Sequence, residues 1–247
     1  MRTVALSIAM ATLTLAQTPT SEKRAEFEVA SVKPTATDNG SFTVDFPPGG
    51  RFFARNMTVQ NLLRTSYALQ EYQISGGPGW INSAGFDIQA TAAAGTGEVP
   101  REQVLQMIQS MLADRFHLAV HRETRQLPIY ALVVGKTGPK FRAADSSAEQ
   151  SRTLKMGQLT TQKMSMATLA NLLTYDLKRP VRDETGLKGD FAFTLEWTLG
   201  LGESDDGPSS RPSLFTAVQD QLGLKLESTK GPIEVLVIDH IEMPSEN

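Results

Sequence analysis

The chain resembles itself at a displacement of 107 residues, which points to a fold built from one unit used twice. Gly50-Arg51-Phe52-Phe53-Ala54-Arg55-Asn56-Met57-Thr58-Val59, with Leu62 and Leu63 beyond, is answered by Gly157-Gln158-Leu159-Thr160-Thr161-Gln162-Lys163-Met164-Ser165-Met166, with Leu169 beyond. Identity is low, but the physical roles match. Each copy predicts a short strand after a glycine, then a helix. Thr58 and Ser165 are placed as N-caps, whose hydroxyls accept one of the helix's unpaired first N–H groups. Met57 with Leu62, and Met164 with Leu169, have the spacing of a hydrophobic staple.

The likeness continues downstream. Phe86-Asp87-Ile88-Gln89-Ala90 and Phe191-Ala192-Phe193-Thr194-Leu195 each predict a half-buried strand. A helix follows in both, with Pro100 or Pro212 near its start. Val104, Leu105, Ile108, Met111 and Leu112 form one apolar face; Leu214, Phe215, Val218 and Leu222 form the other. Each copy is then expected to close with two strands separated by a turn: Phe116 to Val120 before Tyr130 to Val134, and Leu222 to Leu226 before Val235 to Ile238. Tyr72 to Ser75 and Val181 to Asp183 are candidate strands after the first helix of each copy, and Phe27 to Val32 adds a strand ahead of copy one. The expected class is α+β: two tandem β-α-β-β-α-β-β units, with antiparallel or mixed sheets and helices packed on one face. The expected boundaries are 1–16 signal peptide, 17–144 first repeat, 145–156 linker and 157–247 second repeat.

Composition narrows the compartment and the chemistry. Arg2 followed by the apolar run Val4 to Leu15, ending Thr14-Leu15-Ala16, reads as a secretory signal cleaved after Ala16. It is too short to span a bilayer, which takes about 18 or more apolar residues. The mature chain is expected in the periplasm or outside the cell. With no cysteine, thiolate metal sites and disulfides are excluded, and stability must come from core burial. Residues 17–150 carry 13 basic and 13 acidic side chains, and residues 151–247 carry 10 and 14. Neither half offers the concentrated basic face that nucleic acid requires.

Several of these segments carry a family resemblance. Phe27-Glu28-Val29-Ala30-Ser31-Val32-Lys33-Pro34, Met111-Leu112-Ala113-Asp114-Arg115-Phe116, His121-Arg122-Glu123-Thr124-Arg125 and Val235-Leu236-Val237-Ile238-Asp239-His240 resemble acidobacterial secreted proteins grouped as a Solibacter-type domain of unknown function. The resemblance covers nearly all of the mature chain. It implies an exported protein, with some members fused behind membrane metallopeptidases like those of antibiotic sensors, and it implies no activity. The His-Glu-x-x-His of such peptidases is missing here, so their chemistry does not carry over.

Candidate chemical groups are few. His117 and His121 fall on an alternating pattern, where a four-residue separation of about 13 Å is too wide for one metal ion. His240 follows Asp239, yet neighbours on a strand face opposite ways, and no Gly-x-Ser-x-Gly elbow accompanies them. Glu203, Asp205 and Asp206 lack the full calcium-loop spacing. Asp87 and Glu196 sit at polar positions of related strands. The best binding candidates are Pro78 and Trp80, in the turn Gly76-Gly77-Pro78-Gly79-Trp80; the competing reading folds Trp80 back over the core. No metal or cofactor is expected, and no catalytic residue is assigned. The expected function is a non-catalytic envelope or secreted module that binds a protein or small ligand. The alternative is a hydrolase with its site in the cleft between the two repeats.

Overall fold

A computed structural model describes residues 24–36, 40–93, 98–198 and 211–244. The expected signal segment and the Glu203–Asp206 loop lie outside the described residues. The strands are β1 (Val29–Pro34), β2 (Thr43–Asp45), β3 (Arg51–Thr58), β4 (Ile74–Gly76), β5 (Gly85–Thr91), β6 (Ala119–Val134), β7 (Arg142–Ala143), β8 (Arg152–Lys155), β9 (Gln158–Ser165), β10 (Val181–Asp183), β11 (Asp190–Glu196) and β12 (Leu224–His240). The helices are α1 (Val59–Ser66), α2 (Arg101–Arg115), α3 (Met166–Leu177) and α4 (Leu214–Leu222). Among the described residues no helix is long and apolar enough to cross a membrane.

The strands form three four-stranded sheets. The first runs β1-β5-β3-β2 and the third β7-β11-β9-β8, both antiparallel. The middle sheet runs β10-β6-β12-β4. Its long central strands are antiparallel, and each carries a short parallel strand on its outer edge, β10 on β6 and β4 on β12.

Local chemistry accounts for the helix starts. Thr58 Oγ1 accepts the Asn61 N–H at 3.2 Å, and Ser165 Oγ accepts that of Thr168 at the same distance. Met57 and Leu62 are fully buried beside the first cap, and Met164 and Leu169 are buried beside the second. Ser213 makes a third cap with the Thr216 N–H at 3.2 Å, so Pro212 stands outside α4. On α4 the burial differs from expectation at Phe215, which is 39% exposed and meets Tyr130 edge to face at 5.3 Å. Ala217 takes the buried place instead.

The largest departure from the expected unit is in the long strands. The two closing strands expected in each half are one continuous strand, β6 or β12, with no turn between Val120 and Tyr130 or between Leu226 and Val235, although each run contains a proline, Pro128 or Pro232. Each finds its ladder partner in the other half, from Leu224↔Val134 to Ile238↔Val120. The prolines fit because of phase. The Tyr130 N–H points away from β12, to the carbonyl of Pro180. Pro128 shares that direction, and Pro232 faces Gln126 in the same phase. Each missing N–H therefore lies on the edge away from the ladder, where a strand tolerates proline. Two further differences are smaller. Residues Glu71–Gln73 form a 3₁₀ turn before β4, and β8 falls within the stretch 145–156 expected to link the halves.

Two hydrophobic cores result. The first gathers Phe52, Met57, Leu62, Phe86, Ile108 and Phe116 from the first half, and closes with Leu236, Ile238 and Ile241 from the second. The other gathers Leu159, Leu169, Leu195, Trp197, Val218 and Leu224, and closes with Leu132 from the first half.

Candidate functional site

The first sheet is kinked beside a cavity lined largely by polar side chains. Ala54 faces Ile88 and Met57 faces Phe86, so Arg55 and Asn56 together oppose Asp87. Two residues against one is a β-bulge, which bends the strand and re-aims its side chains. Asn56 adopts the left-handed conformation at φ 50°, which asparagine tolerates better than most residues. Asp87 closes the bulge. Its Oδ1 accepts the Asn56 backbone N–H at 2.9 Å and the Thr35 hydroxyl at 2.8 Å. The Asn56 amide is itself held, with Nδ2 donating to the Ser41 carbonyl at 3.1 Å. Gly85 leaves room for it: a Cβ there would overlap Asn56 Oδ1 and push the amide out of place.

Two cavities meet at this bulge and share Thr35 and Asn56. One, of about 330 Å³, is lined by Thr35, Ser41, Thr43, Arg55, Asn56 and Asp87. The other, of about 310 Å³, adds Ser83, Gly85, Phe86 and Met243. The Pro78–Trp80 turn adjoins the second: the 3₁₀ segment Gly79–Asn82 runs from it into the wall Ser83 to Phe86, with the Ala84 N–H donating to the Trp80 carbonyl at 2.8 Å. Pro78 and Gly79 are exposed and Trp80 is half-buried. The indole lies 6.5 Å from Phe116, nearly parallel, and 6.4 Å from Phe86, edge on. Trp80 thus covers the first core and leaves part of its surface to solvent.

The third sheet has a bulge at the corresponding place. Thr161 faces Phe193 and Met164 faces Phe191, leaving Gln162 and Lys163 opposite Ala192. Here the bulge N–H of Lys163 donates to the Thr161 hydroxyl at 3.3 Å, and no carboxylate takes part. The neighbouring cavity is about 210 Å³, lined by Arg142, Thr160, Gln162 and Thr194 among others. Two of these cavities take lining from both halves, through Met243 in the second and Arg142 in the third.

All three histidines of the chain gather at one end of the β6–β12 ladder, each on a carboxylate. His121 Nδ1 is 2.8 Å from Asp239, and its Nε2 is 3.7 Å from Glu123. His240 Nε2 and His117 Nδ1 lie 2.9 and 3.3 Å from the two oxygens of Glu242. The hydrogen bond to Asp239 raises the His121 pKa, partly offset by desolvation and reinforced by the charges of Asp239 and Glu123. His117 departs from the strand reading: it follows α2 in the left-handed conformation at φ 49°, and β6 begins at Ala119. Asp239 orients His121, not its neighbour His240. All these side chains are about half exposed. Among the described residues no group of three His, Asp or Glu is placed to hold a metal ion.

Asp87 and Glu196 lie on different sheets. Glu196 accepts the Gln158 amide at 2.6 Å and takes no part in the bulge. The sequence reading missed Thr35, Arg55 and Asn56. Its own displacement held the available signal: Arg55 and Asp87 are charged where the matching positions are Gln162 and Ala192.

Comparison with known proteins yields one match. The family model "Protein of unknown function (DUF3738)" matches residues 60–241. No curated protein and no solved structure matches the chain.

Proposed function

On the premise that the chain belongs to the DUF3738 family of proteins of unknown function, we propose that it is an exported, non-catalytic module that binds a ligand on the surface running from Pro78 and Trp80 to Asp87. The observation that carries this reading is the pre-organised bulge cleft. Its carboxylate, amide and glycine are held by hydrogen bonds and close packing before any ligand arrives, which lowers the ordering cost of binding. A bulge beside two adjoining cavities is also a recurrent setting for a site. The test is a heteronuclear NMR titration of the mature chain with pools of soluble peptides, sugars and organic acids. Shifts confined to Thr35, Asn56, Gly85, Asp87 and the Trp80 indole are expected. If no pool moves these signals, the reading is wrong.

Export is part of the same proposal, resting on residues 1–16. Intact-mass analysis of protein secreted by its host should show Gln17 first, and a retained Met1 would refute it. The tandem repeat is proposed as the origin of the fold. Its support is the matching order of the first and third sheets, the paired hydroxyl caps and the paired bulges. The exchanged short strands add to it: β4 lies on β12 and β10 on β6, at displacements of 107 and 106 residues. Sequence profiles built separately from relatives over 50–134 and 157–238 should match each other, and profiles with no mutual similarity would sink it.

A further inference from the structure

We infer that the bulge cleft of the first sheet is a site for a small zwitterion, a molecule carrying both an ammonium and a carboxylate, such as an amino acid or a short peptide; this rests on the ligand-binding reading above and names its ligand class. The bulge on β9 closes with a hydroxyl, the Lys163 N–H donating to Thr161, with Ala192 opposite and Gln162 on the rim. The same geometry therefore needs neither charge that the β3 bulge carries, Asp87 opposite and Arg55 on the rim. Those charges are surplus to the fold, and both line one cavity.

Their hydrogen bonding leaves each open to a ligand. Both donors to Asp87, the Asn56 N–H and the Thr35 hydroxyl, reach the same oxygen, Oδ1. Among the described residues no donor reaches Oδ2, although an ionised carboxylate accepts up to about four hydrogen bonds. Arg55 is exposed, and among the described residues it is paired with no carboxylate, Asp87 included. Its planar fork suits a carboxylate in two-point contact. A ligand that places an ammonium on Asp87 Oδ2 and a carboxylate on Arg55 satisfies both, with the Thr43 hydroxyl beside it. The cavity's 330 Å³ stands at the small end of ligand sites, which span about 300–1,000 Å³, and fits a molecule of that size.

The experiment is calorimetric and NMR titration of the mature full chain with the common L-amino acids and glycylglycine, with N-acetylglycine and glycinamide as single-charge controls. At least one zwitterion should bind and shift Thr35, Asn56 and Asp87, with each control about tenfold weaker or more. Asp87→Asn keeps an acceptor for the bulge and removes the charge. It should weaken the zwitterion about tenfold and leave N-acetylglycine unaffected. Arg55→Gln, an exposed change to the residue of the other bulge, should weaken the zwitterion similarly and leave glycinamide unaffected. Equal zwitterion binding by the wild type and both variants would overturn the inference. So would controls that bind as tightly as zwitterions, or no binding by any of these compounds. In the last two cases the ligand-binding reading is decided separately, by whether another compound in the wider pools shifts the same residues.

Discussion

Asp87 and Thr161 do the same structural task with different chemistry, each accepting the N–H that a bulge takes out of its ladder. Asp87→Ala leaves the Asn56 N–H and the Thr35 hydroxyl without their acceptor in a half-buried site, so it should destabilise the chain by about 1–3 kcal/mol, the usual cost of an unmet buried donor. Asp87→Asn should cost clearly less. Urea denaturation of both variants checks this, and equal losses would mean that the charge, not the acceptor, holds the bulge. His121 offers a pH test. The Asp239 hydrogen bond favours the charged imidazole, so the folded chain holds that proton to higher pH than the unfolded chain does. Glu123, itself paired with Arg125, faces the same ring. The stabilisation is therefore complete below the ordinary histidine pKa of about 6.5 and is lost as pH rises through the higher folded value. The Tm difference between wild type and His121→Gln should be widest near pH 5 and narrow above about pH 7; a difference that grows with pH would contradict the assignment. At this scale the caps were legible, because Thr58 and Ser165 act within three residues of themselves. The task of Asp87 was not, because a bulge exists only once two distant strands have chosen a register.

At the scale of elements, proline phase separates what sequence could show from what it could not. Pro128 and Pro232 stand just before the strands expected at Tyr130 and Val235, where a proline commonly marks a break. In a two-stranded stretch they are harmless at every second position, and both fall in that phase. The continuous run from Ala119 to Val134 was hidden because its middle, Arg122 to Gln126, is polar. That stretch is held instead by the facing strand and by the Arg122–Glu234 ion pair. Proline phase predicts opposite outcomes for adjacent exposed residues of β12. Lys230→Pro, opposite Pro128 and in phase with it, should change stability by at most about 1 kcal/mol. Thr229→Pro, one residue out of phase, removes a ladder N–H and should cost about 2 kcal/mol or more. Chemical denaturation of the two variants decides it, and equal effects would mean that the ladder does not have this register.

At the scale of the molecule, the long strands run from one core to the other and belong to both. β6 contributes Val120 to the edge of the first core and Leu132 to the second. β12 contributes Leu224 to the second core and Leu236 and Ile238 to the first. Unfolding either half thus strips apolar cover from the other, and truncating one such buried leucine to alanine commonly costs about 2–5 kcal/mol. The expected consequence is a single transition, although the chain looks in sequence like two consecutive units. The chain carries its own reporters: its two tryptophans, Trp80 against the first core and Trp197 inside the second. Trp80→Phe and Trp197→Phe variants each leave one fluorophore to report on one core. Their urea midpoints and slopes, each corrected by far-UV circular dichroism for the substitution itself, should coincide with the loss of secondary structure in the same variant. If Trp197 reports a transition apart from the one Trp80 sees, the exchanged strands do not couple the halves. The bulge cleft would then stand on a half that folds by itself.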